Sequence, residues 1–213
     1  AGDKKAAKEM ELLNRIKEAL LTGVSARAVQ VNDDEKELLE SFQLLTTKPV
    51  LYVCNVDEKS AKDGNAFVAQ VKEAVKNEEA EVIVLAVATE ADITELESYE
   101  ERKMFLEDIG LEEPGASKLI RAAYHLLNLQ TYFTAGVKEV RAWTIHKGDT
   151  APQAAGVIHT DFEKGFIRAE VIAYDDFVTY GSEAKVKEAG KMRVEGKEYI
   201  VKDGDIMHFR FNV

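Results

Sequence analysis

The chain has 213 residues, of which 46% are hydrophobic, and a formal net charge of −11. A chain of this length and composition can bury a hydrophobic core, which excludes an intrinsically disordered tail. The acidic excess argues against non-specific wrapping of nucleic acid, because phosphate binding needs local positive charge.

The apolar runs are too short for a membrane protein. The longest, VIVLAVA at 82–88, is far below the roughly 20 residues that cross a bilayer, and the N-terminus AGDKKAAKEM lacks the apolar core of a signal peptide. The single cysteine, Cys54, lies in an apolar strand, so a buried structural thiol is expected. These features predict a cytoplasmic protein with no membrane partner.

The charge is unevenly distributed along the chain. Residues 131–213 carry 12 basic and 13 acidic residues, whereas residues 1–130 carry 16 and 26. The last third is therefore near neutral and can carry a local basic patch. No sequence-specific recognition of DNA is expected.

Residues 1–45 are predicted to form a helical hairpin. Apolar residues at helical spacing predict a helix over 3–22 that Gly23 ends, and a second helix that begins near Asn32 or Asp33. The chain opens on Ala inside a helical pattern, so we expect an N-terminal portion to precede it. The hairpin is therefore predicted to be an incomplete, coiled-coil-like arm.

Residues 46–129 predict part of a parallel α/β sheet. The strand VLYVCN at 50–55 precedes an amphipathic helix at 66–76, and the run at 82–88 is predicted to be the next strand. Strands that are apolar on both faces are typical of a parallel sheet covered on two sides. Two further helices are predicted near 95–107 and 114–127, with Pro114 in a first turn.

Residues 130–213 are predicted to form a small mixed domain. Its strands are TYFTA, EVRAWTI, GFIRAEVIAY and DIMHFRF, separated by glycines. Trp143 alternates with charged neighbours and is expected in the core. The four histidines of the chain have no metal-ligand spacing, so no metal site is predicted.

A polar cluster, Asn55, Asp57 and Glu58, follows the first predicted strand. Ligands of open α/β folds bind at the carboxyl ends of the parallel strands. An Asn amide there can donate to a base nitrogen or brace a neighbouring loop, and a carboxylate can accept from an exocyclic amine. The alternative is a plain strand-to-loop cap in which Asp57 and Glu58 face water, and the spacing by itself leaves both open.

A phosphate cradle is not predicted in this chain. The segment GLEEPGAS at 110–117 has the glycine spacing of G-x-x-x-x-G-K-[ST], but Ala116 stands where the lysine should be, and Pro114 suits a helix start. Phosphoryl transfer depends on positioning and charge neutralisation around the phosphates. The chain is therefore expected to have part of a base site and no hydrolytic activity by itself.

The stretch HTDFEKGFIR at 159–168 is a second candidate surface. In a functional interpretation, Lys164 and Arg168 bind phosphates of RNA, and His159 and Asp161 belong to the same surface for RNA or a protein partner. In the alternative interpretation, Phe162 and Phe166 are core residues and Asp161 caps a turn. For the charged residues both interpretations stay open.

The C-terminal stretch TYFTAGVKEVRAWTIHKGDTAPQAAGVIHTDFEKGFIRAEVIAYDDF, followed by GKMRVEGKEYIVKDGDIMHFRFNV, resembles the TGS domain of the Obg-like ATPases, the YchF family. The segments LLTTKPVLYVCNVDE and FLEDIGLEEPGASKLIRAAYHLLNLQTYFTAG extend the resemblance upstream. It implies an α/β plus α+β fold, in which part of a Rossmann-like P-loop NTPase sheet carries a helical hairpin arm. A C-terminal β-grasp, ubiquitin-like TGS domain follows.

The resemblance also implies a function and a set of site residues. Family members bind and hydrolyse ATP, or GTP, with Mg²⁺ and engage the ribosome. Their N-x-x-E motif replaces the guanine-reading N-K-x-D, which assigns Asn55, the backbone of Val56 and Glu58 to the adenine site. The loop after the next strand adds Ala88 and Thr89. The alternative is a free-standing module that binds RNA or protein and no nucleotide.

Overall fold

The structure is a computed structural model that describes residues 4–78, 80–136 and 139–212. The chain divides into two compact units, residues 1–127 and residues 128–213. The helices among the described residues are α1 (Lys4–Leu21), α2 (Asp33–Ser41), α3 (Ala66–Val75), α4 (Val87–Glu95), α5 (Tyr99–Asp108), α6 (Gly115–Leu126), α7 (Ala151–Ile158), α8 (Thr160–Lys164), α9 (Tyr174–Tyr180) and α10 (Glu183–Glu188). The strands are β1 (Leu51–Asn55), β2 (Glu81–Leu85), β3 (Leu129–Ala135), β4 (Val140–His146), β5 (Phe166–Ile172), β6 (Arg193–Glu195) and β7 (Ile206–Phe211).

The first unit begins with the two predicted helices, which are confirmed. Gly23 follows α1 at φ +81°, a left-handed conformation that glycine adopts without strain. The Asn32 side chain accepts from the Glu35 N–H, and the Glu35 carboxylate accepts from the Asn32 N–H, which makes a capping box at the start of α2. The helices share a small core of Leu12, Ile16, Leu38, Leu39 and Phe42.

An arginine connects this helical pair to the first strand. The Arg27 guanidinium donates to Glu78 Oε2 at 2.7 Å through Nη2 and at 3.1 Å through Nε, and to the Thr46 carbonyl at 3.3 Å. The Tyr52 hydroxyl, on β1, donates to the same Glu78 oxygen at 3.3 Å. Because the side chains of this ion pair are only 12% and 23% exposed, it is screened less than a surface pair.

The predicted parallel pairing of β1 and β2 is confirmed, with Val53 opposite Ile83. The helix α6 covers one face through Ala122, which packs with Ile83 and Leu85. Val53, which is paired with Ile83 and therefore lies on the same face, is 45% exposed, so α6 covers this face only in part. On the other face Val84 is buried. Cys54, expected to be buried, is half-buried. The strand β1 is paired along one edge only in the part of the chain described.

The strand predicted over 82–88 is too long. The structure ends β2 at Leu85 and begins α4 at Val87, with the Glu90 N–H bonded to the Ala86 carbonyl. A continuous apolar run does not distinguish a strand from a buried helix by periodicity, which explains the error. The helix predicted near 95–107 starts later, as α5, behind a capping box at Ser98.

The second unit is a five-stranded sheet in the order β4-β3-β7-β5-β6, in which β3 and β7 are parallel and the other pairs antiparallel. The helices α7 and α8, which were not predicted, pack on one face. The core on that face includes Tyr132, Ala154, Ala169, Val171 and Met207. The helices α9 and α10 cover part of the other face, where the core includes Phe133, Ile172, Val186 and Ile206.

A buried carboxylate organises the loop before β7. Asp205 is 2% exposed and accepts hydrogen bonds from the Tyr199 hydroxyl at 2.7 Å and from the Lys202 N–H at 2.9 Å. Arg193 donates to the Tyr199 oxygen at 3.1 Å and lies 3.7 Å from the Asp205 carboxylate. The carboxylate is therefore both hydrogen-bonded and paired with a cation, as a buried charge requires.

Alkaline pH is expected to destabilise this unit through two tyrosines. Burial and the hydrogen bond to Asp205 raise the pKa of Tyr199 to about 12, and burial raises the pKa of Tyr132. The unfolded chain ionises its tyrosines near pH ~10, where the folded chain keeps these two neutral. Their stabilising contribution is therefore complete below about pH 10 and is lost as the pH rises through the folded-state values.

Urea unfolding between about pH 8 and about pH 11 measures this loss. Tyr199→Phe removes one of the two groups, and its free energy of unfolding should fall less steeply with pH than that of the unchanged chain. Equal slopes for the two proteins would contradict the role of Tyr199.

Candidate functional site

The Asn55 side chain ties the carboxyl end of β1 to the first residue of α4. Its Oδ1 accepts from the Val87 N–H at 3.1 Å, and the Val56 N–H donates to the Leu85 carbonyl at 2.8 Å. The sequence indicated two possible roles for the Asn55 side chain, which were bracing a neighbouring loop and donating to a base. Its Oδ1 braces the start of α4. The amide nitrogen makes no hydrogen bond within the described residues, so it remains available as a donor.

Of the two acidic residues after Asn55, Asp57 caps a turn and Glu58 is exposed. Asp57 Oδ1 accepts from the Ser60 N–H at 3.0 Å and caps the 3₁₀ turn Glu58–Ser60, as the structural alternative expected. Glu58 opens that turn and is exposed, so its carboxylate can accept from a ligand. The Val56 N–H is used between the strands, which leaves its carbonyl as the backbone group open to a ligand.

Ala88 and Thr89 were predicted to lie in a loop. In the structure they lie in the first turn of α4. Ala88 is exposed, whereas Thr89 is 2% exposed and points into the unit. Sequence reasoning missed Val87, whose N–H meets Asn55, because the apolar run around it favours a strand. A helix start at this position has no side-chain cap of its own to reveal it.

A cavity of about 280 Å³ adjoins the end of β1. Apolar side chains provide much of its lining, including Val53, Phe67, Val68 and Val71, and Asn55 contributes a polar group. Phe67 is 74% exposed at the start of α3. An apolar cleft with few polar groups is typical of a site for a flat organic ring.

The start of α6 is occupied by a carboxylate of its own unit. Glu90 accepts from the Gly115 N–H at 2.6 Å and from the Ala116 N–H at 3.3 Å. A helix N-terminus attracts an anion, and here the anion is a side chain rather than a phosphate. The segment 110–117, whose glycine spacing matches that of a phosphate loop, is therefore a helix start with a fixed counter-charge.

The described residues offer neither a metal cluster nor a membrane span. No group of three His, Cys, Asp or Glu side chains among them is placed to hold a metal ion. None of the described helices is long and apolar enough to span a bilayer.

The second candidate surface is divided by the structure. His159 Nδ1 accepts from the Asp161 N–H at 3.2 Å and caps α8, so the capping residue is His159 and not Asp161. Lys164 is exposed at the end of α8. Arg168 is paired with Arg210 on the neighbouring strand, and both side chains lie on the face of the sheet opposite α8. Arg168 is therefore separated from the α8 residues.

On that face, three basic side chains surround one carboxylate. The hydrogen bond from Arg210, with the nearby charges of Arg168 and His208, holds the pKa of Glu170 below its usual value. Arg210 Nη2 lies 3.0 Å from Glu170 Oε2. This basic cluster was not predicted, because the residues that face each other depend on the register of β5 with β7.

Known proteins resemble this chain in both sequence and fold. Residues 129–212 match the family model YchF-GTPase_C, described as "Protein of unknown function (DUF933)". A protein of Haemophilus ducreyi named "Ribosome-binding ATPase YchF" is 54% identical over 213 residues, which are 100% of this chain and 58% of that protein. The Bacillus subtilis protein of the same name is 53% identical over 213 residues, covering 99% of this chain and 58% of its own length.

The chain is similar to YchF proteins over its whole length, and its residues 129–212 match the C-terminal model of that family. The resemblance predicted from the sequence is thereby confirmed. The structure titled "Structure of the Schizosaccharomyces pombe YchF GTPase" superposes with a TM-score of 0.83 at 36% identity, over 97% of this chain and 55% of that one. A GTP-binding protein of Pyrococcus horikoshii, at 18% identity and a TM-score of 0.54, supports the fold alone. The chain corresponds to the C-terminal part of YchF relatives and spans a little over half of their length.

Proposed function

We propose that this chain is part of a ribosome-binding ATPase, the activity named for its relatives. In the intact protein, ATP, or GTP, binds with Mg²⁺ and is hydrolysed. The described residues offer a candidate base site without a phosphate cradle, and the relatives are longer than this chain. We therefore assign the phosphate and Mg²⁺ contacts to a part of the intact protein that this chain does not span.

The proposed domains follow the same assignment. Residues 1–45 belong to a helical arm, residues 46–129 to the C-terminal part of a nucleotide-binding domain, and residues 130–213 to a β-grasp TGS domain. The parallel pairing of β1 with β2 supports the second assignment, because parallel strands are typical of nucleotide-binding α/β sheets. The mixed sheet with its parallel pair β3 and β7 supports the third.

The base site is proposed at Asn55, Val56 and Glu58, beside Ala88 and Thr89. The observation that carries it is the hydrogen bond from the α4 backbone to Asn55, which joins the ends of two parallel strands where ligands of this fold bind. Adenine presents an N6 amine, which the exposed Glu58 carboxylate can accept, and an acceptor nitrogen for the Asn55 amide. Of these two residues Ala88 is exposed and Thr89 is buried, so Ala88 is the one open to a ligand in this structure.

Calorimetry of the intact protein with ATP and GTP tests this assignment. We expect ATP to bind more tightly than GTP. The substitution Glu58→Asp should reduce this difference in affinity, because a shorter carboxylate withdraws from the adenine amine and approaches the geometry that reads guanine. Equal affinities for the two nucleotides before any substitution would refute the base site. Failure to bind either would favour the module that binds RNA or protein alone.

Two substitutions at Asn55 separate its two roles. Asn55→Asp keeps an oxygen for the Val87 N–H but removes the amide donor, so ATP affinity should fall about tenfold while stability changes by less than about 0.5 kcal/mol. Asn55→Ala removes both and should also lower the free energy of unfolding by about 1 kcal/mol. Calorimetry measures the loss of ATP affinity, and urea unfolding measures the loss of stability. If Asn55→Asp and Asn55→Ala lose the same affinity and have the same stability, Asn55 does not anchor α4.

The partner is proposed to be the ribosome, contacted through the C-terminal unit. The exposed Lys164 and Arg168, with His159 and Asp161, are the candidate contacts predicted from the sequence. Their division between two faces indicates that they serve two separate surfaces. Co-sedimentation of the chain with ribosomes tests the proposal, and a chain that stays in the supernatant at low salt would contradict it.

A further inference from the structure

The helix α4, which follows β2 at the candidate base site, depends on contacts with its neighbours. It has nine residues, of which Thr89 and Ile93 are buried, and its N-terminus has no side-chain cap of its own. A helix of this length is marginal by itself in water, so tertiary contacts must fix its position. Two hydrogen-bonded contacts of this kind lie within its first four residues, at Val87 and at Glu90.

The first contact joins α4 to β1. The Val87 N–H donates to Asn55 Oδ1 at 3.1 Å, which also orients the amide group of Asn55. The Glu90 N–H donates to the Ala86 carbonyl at 3.0 Å and closes the first turn of the helix. A turn that is tied to the sheet at Val87 alone could still pivot about that one hydrogen bond.

The second contact joins α4 to α6. The half-buried Glu90 carboxylate accepts from the Gly115 N–H at 2.6 Å through Oε1 and from the Ala116 N–H at 3.3 Å through Oε2. Hydrogen bonds to a carboxylate at a helix N-terminus are strengthened by its charge and by the helix dipole. The helix α6 is itself fixed to the sheet, because Ala122 packs with Leu85. Glu90 therefore ties α4 to the sheet through α6.

The glycine at position 115 leaves room for this contact. Gly115 is buried, and a Cβ added there would lie 2.7 Å from Glu90 Oε1 and closer still to the Leu85 side chain. Its backbone is not in the left-handed region, so space rather than backbone conformation explains the glycine. Leu85 is the last residue of β2, and its carbonyl accepts from the Val56 N–H at 2.8 Å. The close approach of α4 and α6 thus lies next to the backbone of the candidate base site.

We propose that Glu90 is a positioning residue of the base site, a role that rests on the proposed function. The ties at Val87 and Glu90 together fix the direction of the first turn of α4 and present the exposed Ala88 between them to the base. They also keep the Val87 N–H in place for Asn55, whose amide then points to the base. The Glu90 carboxylate is occupied by the α6 amides, so it acts through α4 and not on the nucleotide.

Glu90→Gln tests this role without shortening the side chain. Glutamine keeps one oxygen, but its NH₂ group would face an N–H group of α6. By calorimetry, the ATP affinity of the intact protein should fall about tenfold. Without nucleotide, the Val87 amide hydrogen should exchange about tenfold faster, whereas that of Ile93, inside the same helix, should not change. Glu95→Gln, the same substitution at the exposed end of α4, should leave both measurements unchanged.

Two results would overturn the role of Glu90 alone. The first is an ATP affinity of Glu90→Gln equal to that of Glu95→Gln. The second is exchange at Val87 that is no more accelerated than exchange at Ile93, which would indicate a purely structural role. In both cases the unchanged protein still binds ATP, so the proposed function stands. If the unchanged protein binds neither ATP nor GTP, the proposed function fails, and the role of Glu90 fails with it.

Discussion

Gly165→Ala is expected to lower the free energy of unfolding by about 3 kcal/mol. Gly165 follows α8 and precedes β5, and an added Cβ would overlap the carbonyl oxygen of Asn212. That oxygen belongs to the backbone, and moving it aside would disturb the adjacent hydrogen bond from the Asn212 N–H to the Gly165 carbonyl, which is 2.9 Å long. The Gly165 N–H is held in turn by the Asp161 carbonyl at 2.9 Å.

Gly196→Ala is the matched control in the same unit. A Cβ there meets no atom within 4 Å, and the backbone is not in the left-handed region. This substitution should change stability by less than about 0.5 kcal/mol, since it restricts the unfolded chain without a clash in the folded one. Urea unfolding of both variants decides the matter, and equal stabilities would show that the close approach at Gly165 does not constrain the fold.

Asp205→Ala is expected to cost about 3 kcal/mol of folding free energy. The substitution deprives the Tyr199 hydroxyl and the Lys202 N–H of their acceptor and leaves Arg193 without its most buried counter-charge. Asp205→Asn keeps one oxygen and should cost less than the alanine variant. The loop between β6 and β7 should lose its position in both cases.

The control for this network is Glu198→Ala, an exposed carboxylate in the same loop. Its removal should change stability by less than about 0.5 kcal/mol, because surface charges contribute little. Thermal and urea unfolding, with near-ultraviolet circular dichroism to follow the tyrosines, measure the loss. If Asp205→Ala and Glu198→Ala unfold alike, the carboxylate network does not support the loop.

Much of the first unit could be predicted from the sequence, because local signals specify it. The first helix has apolar residues at helical spacing and a glycine at its end, and the second begins with a capping box. The parallel pairing of β1 and β2 followed from two apolar strands around a helix. Each of these signals lies within one short segment of chain.

The start of α4 was missed because its determinant is remote in sequence. The Val87 N–H is held by Asn55, 32 residues earlier, and no residue beside Val87 reveals it. The start of α6, by contrast, was predicted from Pro114, although its first amides bind Glu90, 25 residues earlier. A hydrogen bond between distant segments overrides the β-propensity of a short apolar run.

The sequence by itself determined the resemblance to YchF proteins and the polar residues that follow β1, because both are encoded in contiguous motifs. Only the tertiary structure decided which residues act together. Strand register placed Arg168 across from Arg210, and the fold of β5 put it on the face opposite α8, away from His159. The physical reason is that register arises from packing between segments far apart in the chain, where no local pattern specifies it.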